Sequence, residues 1–258
     1  MTRVAVIGGG AWGTALADLL ARKGELAAVT LWAREPEVVE SVNREHVNTM
    51  FLPGAPLAPT LAAQGDVGAA VQDADVVVSA GPSHAVREVM TRAGGRLVRG
   101  ALVVSVSKGL EPERLTTPSC VLGEVLPKGT PVAVLSGPSF AQEVYARQPT
   151  AVVAAARDHA VAQRVQQVFS TAYFRVYSAT DVLGVELGSG KRLEEALAGR
   201  ASVVEGVNTA RSAVTLGERH GVELPIAREV AQVLFHGKSP GRAVADLMER
   251  DLKAEQWR

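Results

Sequence analysis

Residues 4–13 read VAVIGGGAWG, and this stretch decides the fold, because a short apolar run leads straight into a turn with three spaced glycines. Gly8, Gly10 and Gly13 match the GxGxxG pattern that joins the first strand and first helix of a dinucleotide-binding unit. The first glycine permits a tight turn, the second lets a pyrophosphate approach the backbone, and the third lets the helix pack on the strand. The alternative is a glycine-rich turn without a ligand. We favour dinucleotide binding, because the motif follows a strand and precedes a helical pattern over residues 14–23.

Beyond this turn, short apolar runs alternate with helical patterns. Strands are predicted over residues 4–7, 29–32, 75–79, 101–106, 131–135, 151–155 and 174–177, and helices over residues 14–23, 36–46, 83–92 and 159–169. Valine-rich strands separated by helices predict a doubly wound, Rossmann-like parallel sheet covered on both faces. From residue 185 onward the segments read as helix, over residues 192–198, 203–220, 226–235 and 240–253. We therefore predict an α/β protein with an NAD(P)-binding domain over residues 1–184 and a truncated all-helical domain over residues 185–258.

The composition excludes several classes of partner. The 258 residues contain 27 basic and 27 acidic side chains, so the formal net charge is +0 and no footprint for nucleic acid or an anionic membrane is expected. The apolar run at residues 4–7 is far too short to insert into a membrane. The five histidines have no metal-ligand spacing, so no metal is expected. Cys120 is the only cysteine, which excludes an internal disulfide and is typical of a cytoplasmic protein.

Arg34 lies about twenty residues beyond the glycine turn, where an NAD-binding domain usually places an acidic residue on the ribose hydroxyls. An arginine there can hold the 2′-phosphate of NADP, so we expect NADP as the cofactor. Glu35 follows immediately and leaves NAD as a possible cofactor. The alternative for Arg34 is a solvated surface side chain.

Two further motifs fall at predicted strand ends, where ligands bind in doubly wound sheets. Lys108 ends the strand over residues 101–106, and its ammonium can hold a phosphate or polarise a carbonyl. Residues 137–141, GPSFA, end the next strand and offer backbone N–H groups and a hydroxyl. Each motif is weak alone, but two such strand ends in one sheet predict one site.

Together these stretches resemble the bacterial type of NAD(P)-dependent glycerol-3-phosphate dehydrogenase. The matching segments are residues 8–16 (GGGAWGTAL), 51–54 (FLPG), 105–111 (SVSKGLE), 135–143 (LSGPSFAQE), 174–177 (FRVY), 181–188 (DVLGVELG) and 203–209 (VVEGVNT). The resemblance implies reduction of dihydroxyacetone phosphate to sn-glycerol 3-phosphate, a precursor of glycerophospholipids, by hydride transfer from a nicotinamide to the ketone carbon.

The resemblance also implies which residues contact the ligands. Besides the glycine turn, the implied cofactor contacts are Ala11, Trp12, Arg34, Lys108, Ala141, Val203 and Glu205. The implied substrate contacts are Lys108, Gly137 and Ser139. Lys108 is therefore expected in both sets and is our candidate catalytic residue.

After Gly188 the sequence departs from the family through an apparent internal deletion. In the family a lysine there donates the proton to the developing alkoxide, and later segments grip the substrate phosphate. On the order of sixty residues, four to five average helices, have no counterpart here. Lys191 follows the join, but its neighbours match a later surface helix, so we do not expect it to replace the donor.

The deletion leaves three alternatives open and adds one expectation. The chain is either an impaired enzyme or a catalytically inactive NADP-binding remnant of the family. A different dehydrogenase that uses Lys191 would act on hydroxy acids instead. The helical domain also loses packing partners, so apolar faces over residues 203–216 and 226–234 would be left bare, and the chain unstable, unless another subunit covers them. We therefore expect a homodimer.

Overall fold

A computed structural model describes residues 2–109, 111, 114, 116–179, 214–215, 218–219 and 224–248. The chain divides into two compact units, Met1–Val185 and Glu186–Arg258. The predicted domain boundary after residue 184 lies among residues 180–213, outside the described residues, and stays a prediction.

The first unit is built around an eight-stranded sheet. Its strands are β1 Arg3–Ile7, β2 Ala28–Trp32, β5 Leu61–Gln64, β6 Val76–Ser79, β7 Leu102–Ser105, β8 Val132–Ser136, β9 Thr150–Ala156 and β10 Phe174–Ala179, and a separate hairpin holds β3 Val47–Asn48 and β4 Leu52–Pro56. The order across the sheet is β10-β9-β8-β7-β6-β1-β2-β5. The chain thus winds outward from β1 to β2 and then returns to β6 on the other side of β1. The ends of β1 and β6 form the point where the winding reverses, the usual ligand position in such sheets.

Helices cover both faces of this sheet. They are α1 Ala11–Arg22, α2 Pro36–Glu45, α3 Val67–Val71, α4 Ser83–Gly94, α5 Pro118–Val125, α6 Ala141–Tyr145 and α7 His159–Phe169. Alternate residues of β1 point to opposite faces, as strand geometry requires. Val4 and Val6 join a core that includes α1 and α7, whereas Ala5 and Ile7 join a core that includes α4 and α5. The predicted doubly wound fold is confirmed.

One prediction about the sheet is wrong in part, because β9 pairs with β8 in the antiparallel direction. The connection over residues 137–149 contains only the five-residue helix α6. A parallel connection normally needs a long crossover helix, and this segment has none. The chain therefore turns back at the edge of the sheet, and β9 and β10 run parallel to each other but opposite to the rest.

The second unit contains the described helices α8 Pro225–His236 and α9 Pro240–Met248. Both agree with the helices predicted from residues 226 and 240. Lys238 pairs with Glu229 of α8 and, at 2.7 Å, with Asp246 of α9, so one ammonium joins the two helices. The helix predicted over residues 192–198 lies outside the described residues, and of the helix predicted over residues 203–220 only residues 214–215 and 218–219, both helical, are described.

Candidate active site

The glycine turn after β1 is closed at two positions and open at a third. Gly8 has φ +135°, and a Cβ added there would lie 2.8 Å from the backbone of Ala80 and Gly81. A Cβ on Gly13 would lie 1.9 Å from the Gly8 carbonyl oxygen, so α1 packs directly on the turn. At Gly10 nothing lies within 4 Å of the added atom. The turn therefore presents bare backbone to a ligand at Gly10 and only there among these three glycines.

This geometry suits a phosphate group. Gly10 is the N-cap of α1 and makes no side-chain cap, and the first turn of the helix holds no acidic residue. The free N–H groups and the positive end of the helix dipole are therefore left to an anion. The indole N–H of Trp12, in the same turn, is buried without a partner in the part of the chain that the structure describes. A pyrophosphate fits the cradle that the sequence predicted.

A buried amide that the sequence analysis missed holds this turn in place. Asn48 of the β3–β4 hairpin donates from Nδ2 to the Gly9 carbonyl oxygen and to the Thr14 hydroxyl, both at 2.8 Å. The Thr14 hydroxyl also donates to the Gly9 carbonyl at 3.2 Å. Asn48 is fully buried, so each of these polar groups depends on the others. The position of Asn48 in the sequence did not indicate this role, because the contact forms only when the hairpin folds back onto the glycine turn.

Arg34 lies two residues beyond the end of β2, and β2 pairs with β1 beside the glycine turn. The Arg34 side chain is largely exposed, and its Nη2 lies 2.8 Å from Oε1 of Glu35. Arg34, which favours NADP, and Glu35, which favours NAD, therefore form an ion pair with each other. Exposed pairs of this kind are weak, so the guanidinium remains available to a phosphate.

Lys108 brings the other predicted strand ends together. Its ammonium donates a hydrogen bond to the Ser139 carbonyl oxygen at 3.0 Å. The same nitrogen lies 5.8 Å from the centroid of the Trp12 ring and 5.6 Å from that of Phe140. Residues from the glycine turn, from the end of β7 and from the end of β8 thus meet around one cation. Sequence reasoning had placed Trp12, Lys108 and Ser139 in the site but had given Phe140 no role.

The remaining predicted residues of the 137–141 segment lie beside this cluster. Ser139 is buried, and its hydroxyl donates to the Gly137 carbonyl at 3.2 Å. A Cβ on Gly137 would lie 3.0 Å from the backbone of Ala151 and Val152, so the segment packs closely on β9. Ala141 is the first residue of α6, and Ala11 is the first residue of α1.

Two contacts fix the loop that carries Lys108. The Ser107 hydroxyl donates to the Gly81 carbonyl at 2.6 Å, which joins the loop to the end of β6. Glu111 is buried and receives a forked pair of hydrogen bonds from Arg87 of α4, at 2.5 and 2.9 Å. The hydrogen bonds from Arg87 lower the pKa of the Glu111 carboxyl, against the effect of burial. Lys108 thus lies on a loop that hydrogen bonds hold on both sides. These contacts join segments that are far apart in the sequence, so they could not be predicted without the fold.

Some predictions concern residues that the structure does not describe. Val203, Glu205, Gly188 and Lys191 lie outside the described residues. Among the residues described, no three His, Cys, Asp or Glu side chains form a group that could hold a metal ion. No helix in that same part of the chain is long and apolar enough to cross a membrane.

Comparison with known proteins identifies two family models in the chain. The model for the N-terminus of NAD-dependent glycerol-3-phosphate dehydrogenase matches residues 3–162, and the model for its C-terminus matches residues 170–245. The glycerol-3-phosphate dehydrogenase [NAD(P)+] of Citrifermentans bemidjiense is 37% identical, with 98% of each chain aligned. That of Geobacter sulfurreducens is 38% identical, with 99% of each chain aligned. A crystal structure of glycerol-3-phosphate dehydrogenase from Coxiella burnetii covers 96% of this chain and 99% of its own, with 26% identity and a TM-score of 0.67.

These alignments also measure the shortening of the chain. The first extends over 332 positions, whereas the chain has 258 residues, so at least 74 aligned positions hold no residue of this protein. This is more than the sixty or so expected from the sequence.

Proposed function

The chain belongs to the NAD-dependent glycerol-3-phosphate dehydrogenase family, and we propose on that premise that it reduces dihydroxyacetone phosphate to sn-glycerol 3-phosphate. The observation that carries the proposal is the convergence on Lys108. Its ammonium lies at the carboxyl ends of the strands, 3.0 Å from the Ser139 carbonyl and next to the Trp12 ring of the glycine turn. A dinucleotide on the turn and a small phosphorylated ketone at Lys108 would therefore be neighbours.

Each residue of the site has a distinct task in this proposal. The Gly8–Gly13 turn and the start of α1 bind the pyrophosphate, and Trp12, Ala11 and Ala141 line the cofactor on either side. Lys108, with Gly137 and Ser139, holds the substrate. A bound nicotinamide would supply the hydride for the ketone carbon. The Lys108 ammonium would donate a hydrogen bond to the ketone oxygen, where negative charge develops, and so stabilise the transition state, and the resulting alkoxide would take its proton from water.

The shortening of the chain bears on rate rather than on the class of reaction. A general acid contributes about two to four powers of ten in rate. If the family's proton donor has no replacement, we expect slow turnover with a clear requirement for Lys108. The comparisons give no support to the alternative of an inactive remnant.

For the cofactor we favour NADP over NAD. The support is Arg34, which lies two residues beyond β2 and whose exposed guanidinium pairs, among the described residues, with the half-buried carboxylate of Glu35. Replacing Arg34 with alanine removes a charged contact to the 2′-phosphate and should weaken NADPH binding about tenfold, with NADH binding nearly unchanged. Equal loss for both nucleotides would assign Arg34 to another part of the cofactor.

We also propose a cytoplasmic homodimer. A single cysteine needs no oxidising compartment. In the second unit, Ile226 of α8 is 68% exposed and Val230, one turn further on, is also exposed. Apolar side chains on one helix face are typical of a surface that a partner covers.

The test of the proposed activity compares two lysines. Lys108→Ala should lower kcat/KM for dihydroxyacetone phosphate by about two to three powers of ten, the usual effect of losing a group that stabilises a developing oxyanion. The matched control is Lys128→Ala, because Lys128 is an exposed loop lysine outside the site. Equal activity of the Lys108→Ala variant and the unaltered chain would remove Lys108 from the reaction.

A further inference from the structure

Phe140 is an exposed aromatic side chain that lies between two buried residues of its segment. Its neighbour Ser139 is buried, and Val144, one turn later, is fully buried in the core. Phe140 itself is 66% exposed, the largest exposure of any Phe, Tyr or Trp among the exposed apolar side chains of the described residues. Its ring therefore contributes little to packing, and a role outside the core is the natural explanation.

The Phe140 ring lies next to the ammonium group of Lys108. The Lys108 nitrogen lies 5.6 Å from the Phe140 centroid and 5.8 Å from the Trp12 centroid, both within the range of a cation–π contact. The Ser139 carbonyl accepts a hydrogen bond from the same nitrogen at 3.0 Å. Lys108 is thus flanked by two aromatic rings and bound to one oxygen.

The backbone of Phe140 is held independently of its ring. Phe140 is the N-cap of α6, and its carbonyl oxygen accepts a hydrogen bond from the Val144 N–H at 3.0 Å. Removing the ring therefore leaves the helix start and the Ser139 carbonyl where they are. A substitution at Phe140 changes the surroundings of the ammonium without changing the fold.

From these contacts we infer that Phe140 is a positioning residue, which with Trp12 holds the Lys108 ammonium at the mouth of the site for the substrate's oxygen atoms. Two rings restrict a long, flexible side chain whose rotamers would otherwise be many. Within the described residues they also leave two of the three N–H donors of the ammonium for an anionic ligand, since rings accept no full hydrogen bond. The inference rests on the proposed function, because it concerns how Lys108 meets its substrate.

The inference is tested first by the position of the Lys108 ammonium, without any need for turnover. The chain has six lysines, and incorporation of lysine labelled with ¹³C at Cε gives six side-chain signals in an NMR spectrum while every ammonium stays unmodified. Lys108→Arg identifies the signal of Lys108. In the unaltered chain this signal should be displaced by the two rings; Phe140→Leu should move it toward the exposed lysines, whereas Phe140→Tyr should keep it displaced. A Lys108 signal that does not respond to Phe140→Leu would overturn the contact.

The same signal then reports ligand binding. Titration with dihydroxyacetone phosphate should give a dissociation constant about two- to fivefold weaker for Phe140→Leu and unchanged for Phe140→Tyr, as expected for one cation–π contact at an exposed site. Tyr177→Leu is the matched control, because Tyr177 is 52% exposed on the edge strand β10 and is not placed in the site. Equal affinities in the Phe140→Leu variant and the unaltered chain would refute the positioning role.

Kinetics separate this inference from the proposed function. Where the chain turns over, Phe140→Leu should lower kcat/KM mainly through KM, with NADPH affinity and melting temperature unchanged. Where the unaltered chain binds dihydroxyacetone phosphate at Lys108 without forming product, the proposed activity fails while the positioning role stands.

Discussion

Gly10 and Gly13 lie three residues apart in one turn, but the structure predicts opposite consequences for replacing them with alanine. At Gly13 the new Cβ would lie 1.9 Å from the Gly8 carbonyl oxygen, and real Cβ contacts are not shorter than 3.0 Å, so α1 must move by about 1 Å. At Gly10 the new Cβ meets no protein atom within 4 Å, and φ is −67°, which alanine adopts freely. Gly13→Ala should therefore damage the fold, and Gly10→Ala the ligand site.

The magnitudes follow from these distances. Overpacking costs about 1–3 kcal/mol, and the upper part of that range, about 2–3 kcal/mol, applies here because the contact is with a backbone carbonyl, whereas the better helix propensity of alanine returns about 1 kcal/mol at Gly13. The net loss of about 1–2 kcal/mol should lower the melting temperature by about 2–8 °C in a unit of this size. At Gly10 the stability cost is that of a less suitable N-cap, a few tenths to about 1 kcal/mol.

Cofactor binding, in contrast, should be weakened by the substitution at Gly10. A methyl group at Gly10 occupies the space that the pyrophosphate needs and removes charge-assisted hydrogen bonds worth about 1.5–3 kcal/mol. NADPH affinity should fall about ten- to a hundredfold. Thermal unfolding and NADPH fluorescence titration of both variants measure the two effects. A Gly10→Ala protein that binds NADPH as tightly as the unaltered chain would refute the cradle, and an undiminished melting temperature of Gly13→Ala would refute the close packing of α1.

Other contacts give further predictions. Asn48→Ala leaves buried polar groups around the glycine turn unpaired and should lower the free energy of unfolding by about 1–3 kcal/mol in urea titration; an unchanged midpoint would deny the hairpin this role. Because Arg87 lowers the pKa of Glu111 in the folded state, the pair stabilises the protein above the unfolded pKa of about 4.3, and this stability is lost as the pH falls through the lower folded pKa. Glu111→Gln should flatten that acid-side loss in thermal unfolding, and an equally steep loss in the variant would contradict it. Ile226→Asp should reduce the mass of the particle to that of one chain in sedimentation equilibrium, and a persistent dimer would place the interface elsewhere.

The part of the fold that the sequence predicts well is the part encoded by local pattern. Continuous apolar runs predicted most of the main-sheet strands, and the glycine spacing predicted the turn before α1, because both depend on neighbours in the chain. The short strand β5 and the helix α3 were missed because four or five residues carry too little periodicity. The direction of β9 was wrong because it depends on where residues 137–149 run in space.

The same distinction, between features set by local sequence and features set by the fold, applies to the residues of the candidate site. Lys108 and Ser139 were predicted together because parallel strands end at one edge of a sheet, a rule that needs only the strand positions. Asn48, Arg87 and Phe140 were not predicted, since each acts through a contact between segments far apart in sequence or through the exposure of one ring. Such contacts become visible only when the chain is folded.

The most direct test of the central claim follows the hydride itself. The purified chain is incubated with dihydroxyacetone phosphate and NADPH that carries deuterium on the transferable position of its nicotinamide, and the product is analysed by mass spectrometry. We expect glycerol 3-phosphate with one deuterium on its second carbon, and about a hundred- to a thousandfold less of it from the Lys108→Ala variant in the same time. Tight NADPH binding by a folded chain that forms no labelled product would contradict it.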